Sequence, residues 1–256
     1  MNKIKFIGTA GARFVVMKQL RKSGGMWISI DDTDILIDPG PGSLVNCLSS
    51  KTKLDPKDLD GIILTHRHLD HSNDINIMIE AMTNGGFNKK GVVFAPVDAI
   101  EDDPVILKYV RDHLERIEIL KEKGNYTLGN ISFSTPIKHI HGVETYGLNI
   151  LSKKNSISII TDTKYFEGLE SHYKADILIL NVVRYEEKKG IMHLCMKDVE
   201  KIISKNKPKL SIITHFGITM IRAKPWDIAK KLSEKLNIEV IAARDGMEIG
   251  IDQYKI

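Results

Sequence analysis

Short apolar runs of strand length recur along the whole chain: KIKFIG, MWISI, DILIDPG, GIILTH, GVVFAP, ISFSTPI, TYGLNIL, SISIITD, ADILILN, LSIITH and EVIAARDG. Many are rich in β-branched residues and bounded by Gly, Pro or a polar residue, the pattern of buried strands that stop abruptly. Between them, residues 75–82, 104–116, 196–205 and 226–236 space their apolar side chains as helices with one buried face do. Strands alternating with helices predict an α/β protein. The runs between 117 and 162 have no helix among them, which predicts hairpins and a partly antiparallel sheet. The expected architecture is therefore an αββα sandwich: two mixed β-sheets face to face with helices on the outside. No solenoid repeat, low-complexity tract or Pro/Gly/Ser linker divides the chain, so residues 1–256 are expected to form one domain, with KEKG at 121–124 as a solvated turn.

Composition narrows this only slightly. With 256 residues, 42% hydrophobic and 27% charged, the chain can bury a substantial core. A formal charge of +4, from 37 basic and 33 acidic residues, permits an anionic substrate without demanding nucleic acid. The two cysteines, Cys47 and Cys195, stand far apart and suggest neither a disulfide framework nor a thiolate zinc site, so a reducing cytoplasm is the expected compartment. No apolar segment approaches the roughly 20 residues of a membrane span, and no membrane association is expected.

The stretch LTHRHLDHSND changes the picture. His66, His68, Asp70 and His71 fall within six consecutive positions, after a buried strand and before a helix. Imidazole and carboxylate suit zinc and similar first-row ions, and such strand-end corners are where α/β proteins place their chemistry. Further ligand types stand at other strand ends: His139 and His141 after ISFSTPI, Asp162 after SISIIT and His215 after LSIIT. Alternation along a strand would put His139 and His141 on one face, and periodicity does not choose between them.

From the aspartate of LIDPG through THRHLDH, HGVETYG, ITDT and ITHFG to ARDGM, the chain resembles the metallo-β-lactamase superfamily. In motif pattern it is most similar to the branch containing ribonuclease Z and small phosphodiesterases. The resemblance implies that His66, His68 and His141 hold one metal, that Asp70, His71 and His215 hold a second, and that Asp162 bridges them. It takes His139 as a neighbour of the site, and Asp38 as a support that stays off the metal. His193, 22 positions before His215 and at the opening of a predicted helix, matches a catalytic histidine of that branch that is not a ligand. A helix-capping or flanking histidine is the plainer alternative. His113 and His172 lack such context and read as structural or solvent-facing.

Departures from other branches shape the expected function. True β-lactamases usually carry cysteine where this chain has Asp162, and flavin-linked di-iron members typically carry glutamate where it has His68. The resemblance thus implies a hydrolase with two Zn2+ per chain, or manganese or iron in their place, holding a hydroxide between them to attack a phosphodiester. Asp70 would orient that hydroxide and His193 would assist the leaving oxygen. A glyoxalase II type thioester hydrolase is the alternative enzyme, although the helical carboxyl-terminal region of that family has no counterpart. A non-catalytic metal-binding regulator is the alternative of another class. A small-molecule or oligonucleotide phosphodiester is the expected partner. Transfer RNA is not supported, because the Gly/Pro-rich arm of ribonuclease Z is absent. A homo-oligomer is left open, as is contact between substrate and Arg13, Lys18, Arg21 or Lys22 of the first loop.

Overall fold

The computed structural model describes residues 1–101 and 103–254. Two seven-stranded mixed sheets lie face to face. The first contains β1 (Lys3–Phe6), β2 (Met26–Ile30), β3 (Thr33–Ile37), β4 (Gly61–Ile63), β5 (Val92–Pro96) and β6 (Arg116–Leu120), with β14 (Glu248–Gly250) returning beside β1. The second contains β7 (Gly124–Leu128), β8 (Ile131–Thr135), β9 (Leu148–Leu151), β10 (Ser156–Ile160), β11 (Ile177–Asn181), β12 (Leu210–Thr214) and β13 (Glu239–Ala242). In each sheet one half is antiparallel and the other parallel: β3 to β6 run parallel in the first, β10 to β13 in the second.

Alternation sorts the side chains into three apolar layers. Ile37, Ile63 and Phe94 face inward and meet Ile159, Ile179 and Ile212 from the opposite sheet. The neighbouring Leu36, Ile62 and Val93 face outward and are covered by α2 (Ser43–Leu48) and α4 (Ile75–Met82). α4 buries Ile75, Met78, Ile79 and Met82, a stripe at three- and four-residue spacing. On the other side α6 (Met196–Asn206) buries Val199, Ile202 and Ile203, and α8 (Pro225–Leu236) buries Ala229 and Leu232. Shorter helices complete the set: α1 (Ala12–Met17), α3 (Leu69–Ser72), α5 (Lys108–Arg111) and α7 (Ile218–Arg222). The αββα sandwich read from the sequence is the observed fold. Among the described residues no helix is long and apolar enough to cross a membrane.

One expected element is corrected. The helix predicted over 104–116 shrinks to the single turn α5, and Arg116 already begins β6. Ile106, Val110 and Leu114 are buried at four-residue spacing, which imitates a helical stripe. The chain between them is irregular, and the Arg111 guanidinium donates to the carbonyls of Ile100 and Ile106. RIEIL is instead an alternating run paired parallel with β5.

Candidate metal centre

The carboxyl ends of the parallel strands of both sheets converge on one point. Asp38 follows β3, the His66 to His71 cluster follows β4, Asp162 follows β10 and His215 follows β12. Asp38 and His215 have left-handed φ of 54° and 61°, so each strand breaks sharply at the polar residue. Such conformations cost of order 1 kcal/mol or more and persist where the surroundings impose them. Close backbone packing is part of that imposition. A Cβ on Gly40 would stand 2.1 Å from the Asp70 carbonyl oxygen, and one on Gly11 would stand 2.2 Å from that of His215.

The structure brings together all eight residues singled out for metal binding or chemistry. Donor atoms of His66, His68 and His141 form one group, those of Asp70, His71 and His215 a second, and those of His141, Asp162 and His193 a third, each within 4.8 Å. Asp162 lies at the centre. Its Oδ2 is 3.9 Å from His66 Nε2, 3.5 Å from His71 Nε2, 3.9 Å from His141 Nε2 and 3.4 Å from His193 Nδ1. Its Oδ1 is 3.5 Å from His215 Nε2, which is also 3.6 Å from Asp70 Oδ2. Most of these separations exceed a good hydrogen bond. They match the spacing of about 3.3 Å between two ligands of one tetrahedral zinc ion.

Hydrogen bonds on the far sides of the rings fix which nitrogen faces the centre. The Thr65 hydroxyl donates to Asp38 Oδ2 at 2.8 Å, so at 3.1 Å it can only accept from His66 Nδ1. His71 Nδ1 donates to Asp38 Oδ2 at 2.9 Å, and His141 Nδ1 donates to the Met192 carbonyl at 3.0 Å. When neutral, each ring is thereby left with an Nε2 lone pair toward the cluster, the outer-sphere arrangement that orients metal-binding histidines. The Nε2 atoms of His66, His71 and His215 are buried with no hydrogen-bond partner. His68 Nδ1 and His141 Nε2 face each other at 3.0 Å. Asp38 also lies close to His66 and His71, but its oxygens are taken by the Thr65 backbone N–H, the Thr65 hydroxyl and His71.

The electrostatics keep the carboxylates at the centre ionised. Burial would push the Asp162 carboxyl up, but His215 and His193 outweigh it and hold the group well below the usual carboxylate range. Burial likewise opposes charge on His71, yet Asp70 and Asp38 hold that ring well above the ordinary histidine value. Burial and the neighbouring His141 lower His68 to about 4, so it offers a neutral nitrogen at pH 7. Orphaned nitrogens around buried carboxylates fit divalent metal, and the nitrogen and oxygen donor set suits zinc, manganese or iron.

His139 has a different place. The chain at 139–141 is not a strand, so the expected sharing of a face does not apply. His139 Nδ1 donates to the Asp162 carbonyl at 3.2 Å, and its Nε2 accepts from the Tyr173 hydroxyl at 2.7 Å. Both nitrogens are consumed by the neutral ring, and burial lowers its pKa to about 4. Below about pH 6.5 the unfolded chain therefore takes up this proton first, and stability should fall between pH 6.5 and 4 and be level above that window. Urea midpoints measured across the window should decline more steeply for the parent than for His139→Gln. Equal slopes would remove His139 from that linkage.

His193 lies in the loop ahead of α6 and does not open the helix. Cys195 is the N-cap residue, and its backbone N–H is accepted by Asp198 at 2.9 Å. The His193 Nδ1 atom is buried without a hydrogen-bond partner and faces the cluster. His113 packs near Glu80, its Nδ1 3.9 Å from the Glu80 carboxylate, and His172 ends a short helical turn; neither belongs to the cluster. In the first loop Arg13, Lys18 and Lys22 are exposed, while Arg21 is half-buried against Phe216 and Thr9.

Sequence reasoning missed two supports. Asn181, at the end of β11, donates to Asp162 Oδ1 at 3.0 Å. Asp98, following β5, accepts the Glu144 backbone N–H at 3.0 Å and ties down the loop that carries His141. A polar residue directly after a buried run was the signal available for both.

The family described as "Beta-lactamase superfamily domain" matches residues 33–216. The chain belongs to that superfamily, and fold and cluster together define a metallo-β-lactamase-fold protein whose clustered histidines and aspartates are able to hold metal. The uncharacterized protein MJ1374 of Methanocaldococcus jannaschii is 30% identical, over 96% of this chain and 94% of its own length. The metallo-beta-lactamase fold protein YhfI of Bacillus subtilis shares the fold at a TM-score of 0.79 and 20% identity, covering 97% of this chain and 98% of YhfI. A diphosphatase from the PhnP family does so at 0.70 and 19% identity, covering 97% and 96%.

Proposed function

We propose that this protein is a phosphodiesterase carrying two zinc ions per chain. His66, His68 and His141 would hold one ion, Asp70, His71 and His215 the other, with Asp162 shared between them. Bound there, the metal would supply Lewis-acid polarisation of the phosphoryl group and an activated water at neutral pH. The chain's own residues do the rest. Asp70 orients the attacking water by accepting its proton in a hydrogen bond. Asn181 keeps the Asp162 carboxylate turned toward the centre. His193 carries a proton at Nδ1 for the departing oxygen. Burial lowers its proton affinity, Asp162 opposes that, and an arriving phosphate anion adds to the opposition.

The observation that carries the phosphodiester reading is the placement of His193. It is buried beside the cluster, lacks a hydrogen-bond partner for Nδ1 and plays no part in capping α6. The diphosphatase of the PhnP family supports phosphorus chemistry as the precedent on this fold. The deciding experiment is a hydrolysis screen of metal-loaded protein against bis(p-nitrophenyl) phosphate, cyclic nucleotides, a thioester and a β-lactam. Preference for the thioester would replace this reading. Metal analysis should give close to two ions per chain, and His141→Ala should lower that content while His139→Ala leaves it nearly intact. A reproducible value of one would remove the bridging role of Asp162, and the reverse variant pattern would exchange the two histidines.

A further inference from the structure

Beside the metal centre runs a groove of about 1500 Å³, walled by the 185–193 loop, α6 and the start of α8. It exceeds the roughly 300–1,000 Å³ of ordinary small-molecule pockets. His193 belongs to both places: it lines the groove, and its Nδ1 stands 3.4 Å from Asp162 in the cluster. The groove wall is basic. Lys164, Lys188, Lys189, Lys197, Lys224 and Lys231 are exposed along it, and among the described residues none has a carboxylate within ion-pair distance. Several acids on the same wall are already engaged. Asp198 accepts from the Cys195 backbone, and Glu200 holds Lys235 at 2.6 Å. Among the described residues Glu186, Glu187 and Asp227 have no basic partner within ion-pair distance, which leaves the lysines in excess. Tyr185, 43% exposed, adds an aromatic face at the loop end.

We propose that this groove holds the leaving portion of a single-stranded oligonucleotide substrate. The proposal rests on the phosphodiesterase reading, in which His193 serves the leaving oxygen. Whatever is attached to that oxygen then continues past His193 into the groove. A chain of phosphates matches a row of unpaired lysines, and an exposed tyrosine provides a stacking surface for a base of any identity.

The test uses the metal-loaded full-length protein with bis(p-nitrophenyl) phosphate and with fluorescein-labelled oligothymidylates of two, four and eight nucleotides. KM should fall with length by about tenfold or more, and kcat/KM for the longest chain should drop steeply with added salt. The triple variant Lys188→Glu, Lys197→Glu, Lys231→Glu should reverse the gain with length and leave bis(p-nitrophenyl) phosphate kinetics within about twofold. Hydrolysis independent of length and of the triple variant would overturn the groove assignment while leaving the phosphodiesterase reading in place. Fluorescence anisotropy keeps the two separable if no phosphodiester is cleaved. Binding of the octamer that is lost in the triple variant supports the groove, and equal binding by both proteins refutes it. Tyr185→Ala should weaken the octamer and spare inorganic polyphosphate. Polyphosphate binding as tight as the octamer's, with no effect of Tyr185→Ala, would overturn the nucleic-acid assignment.

Discussion

His193→Ala should keep the fold and the full metal content while turnover falls by roughly 10²- to 10⁴-fold, the range for removing one general acid. The ring meets the cluster across 3.4 Å to Asp162 and edge-on against His141, with ring centroids 5.0 Å apart, and its removal leaves the six other nitrogen and oxygen donors around Asp162 in place. The loss should be largest for phosphodiesters with basic alkyl leaving groups. It should shrink for p-nitrophenolate, which departs with little protonation. A histidine that merely braces the 185–193 loop would lower stability by about 1 kcal/mol and leave turnover of the folded protein nearly unchanged. Parental rates toward both alkyl and nitrophenyl esters would remove the main support for phosphodiester chemistry.

Asp38→Ala should have the second largest effect, a fall in metal affinity of about 10- to 100-fold without removal of any proposed ligand. The carboxylate receives the Thr65 N–H at 2.7 Å, the Thr65 hydroxyl at 2.8 Å and His71 Nδ1 at 2.9 Å. Truncation strands all three donors in a buried site, frees the Thr65 hydroxyl to rotate and so releases the tautomers of both His66 and His71. Competition against a chromogenic chelator reads the affinity directly. An unchanged value would mean that ring packing, with His66 and His71 centroids 4.0 Å apart, holds the nitrogens without help from Asp38.

The parts of the centre visible in the sequence are those where chemistry and chain direction coincide. His66, His68, Asp70 and His71 are crowded into one corner between a buried strand and a helix, a density of ligand-type side chains that a metal site explains better than helix capping does. Asp162 and His215 each follow a strand-length run rich in isoleucine, SISIIT and LSIIT, so the sequence marks both as strand-end polar groups. His141 was separable from His139 only by resemblance. The physical distinction lies in Tyr173 and the Asp162 carbonyl, which engage both nitrogens of His139 from 34 and 23 residues away. Asn181 was passed over because asparagine ends strands for many reasons, and only the parallel pairing of β11 with β10 sets it beside Asp162. The misread helix over 104–116 has the same origin. Burial of Ile106, Val110 and Leu114 by neighbours on other elements produced a local period that the backbone does not follow.

The division of the chain between the sheets has a consequence for assembly. Strands β1 to β6 build one sheet, β7 to β13 the other, and among the described residues only β14 goes back. His66, His68, Asp70 and His71 therefore belong to the first half of the polypeptide, and His141, Asp162, His193 and His215 to the second. A cation seated among them acts as a clasp between two half-molecules whose covalent junction is the short turn at 121–123. A ligand held at a hundred times its dissociation constant stabilises the state that binds it by about 2.7 kcal/mol. Here that energy falls on the seam itself, so a polypeptide nicked at the turn should reassemble from its two fragments more readily with zinc than with chelator.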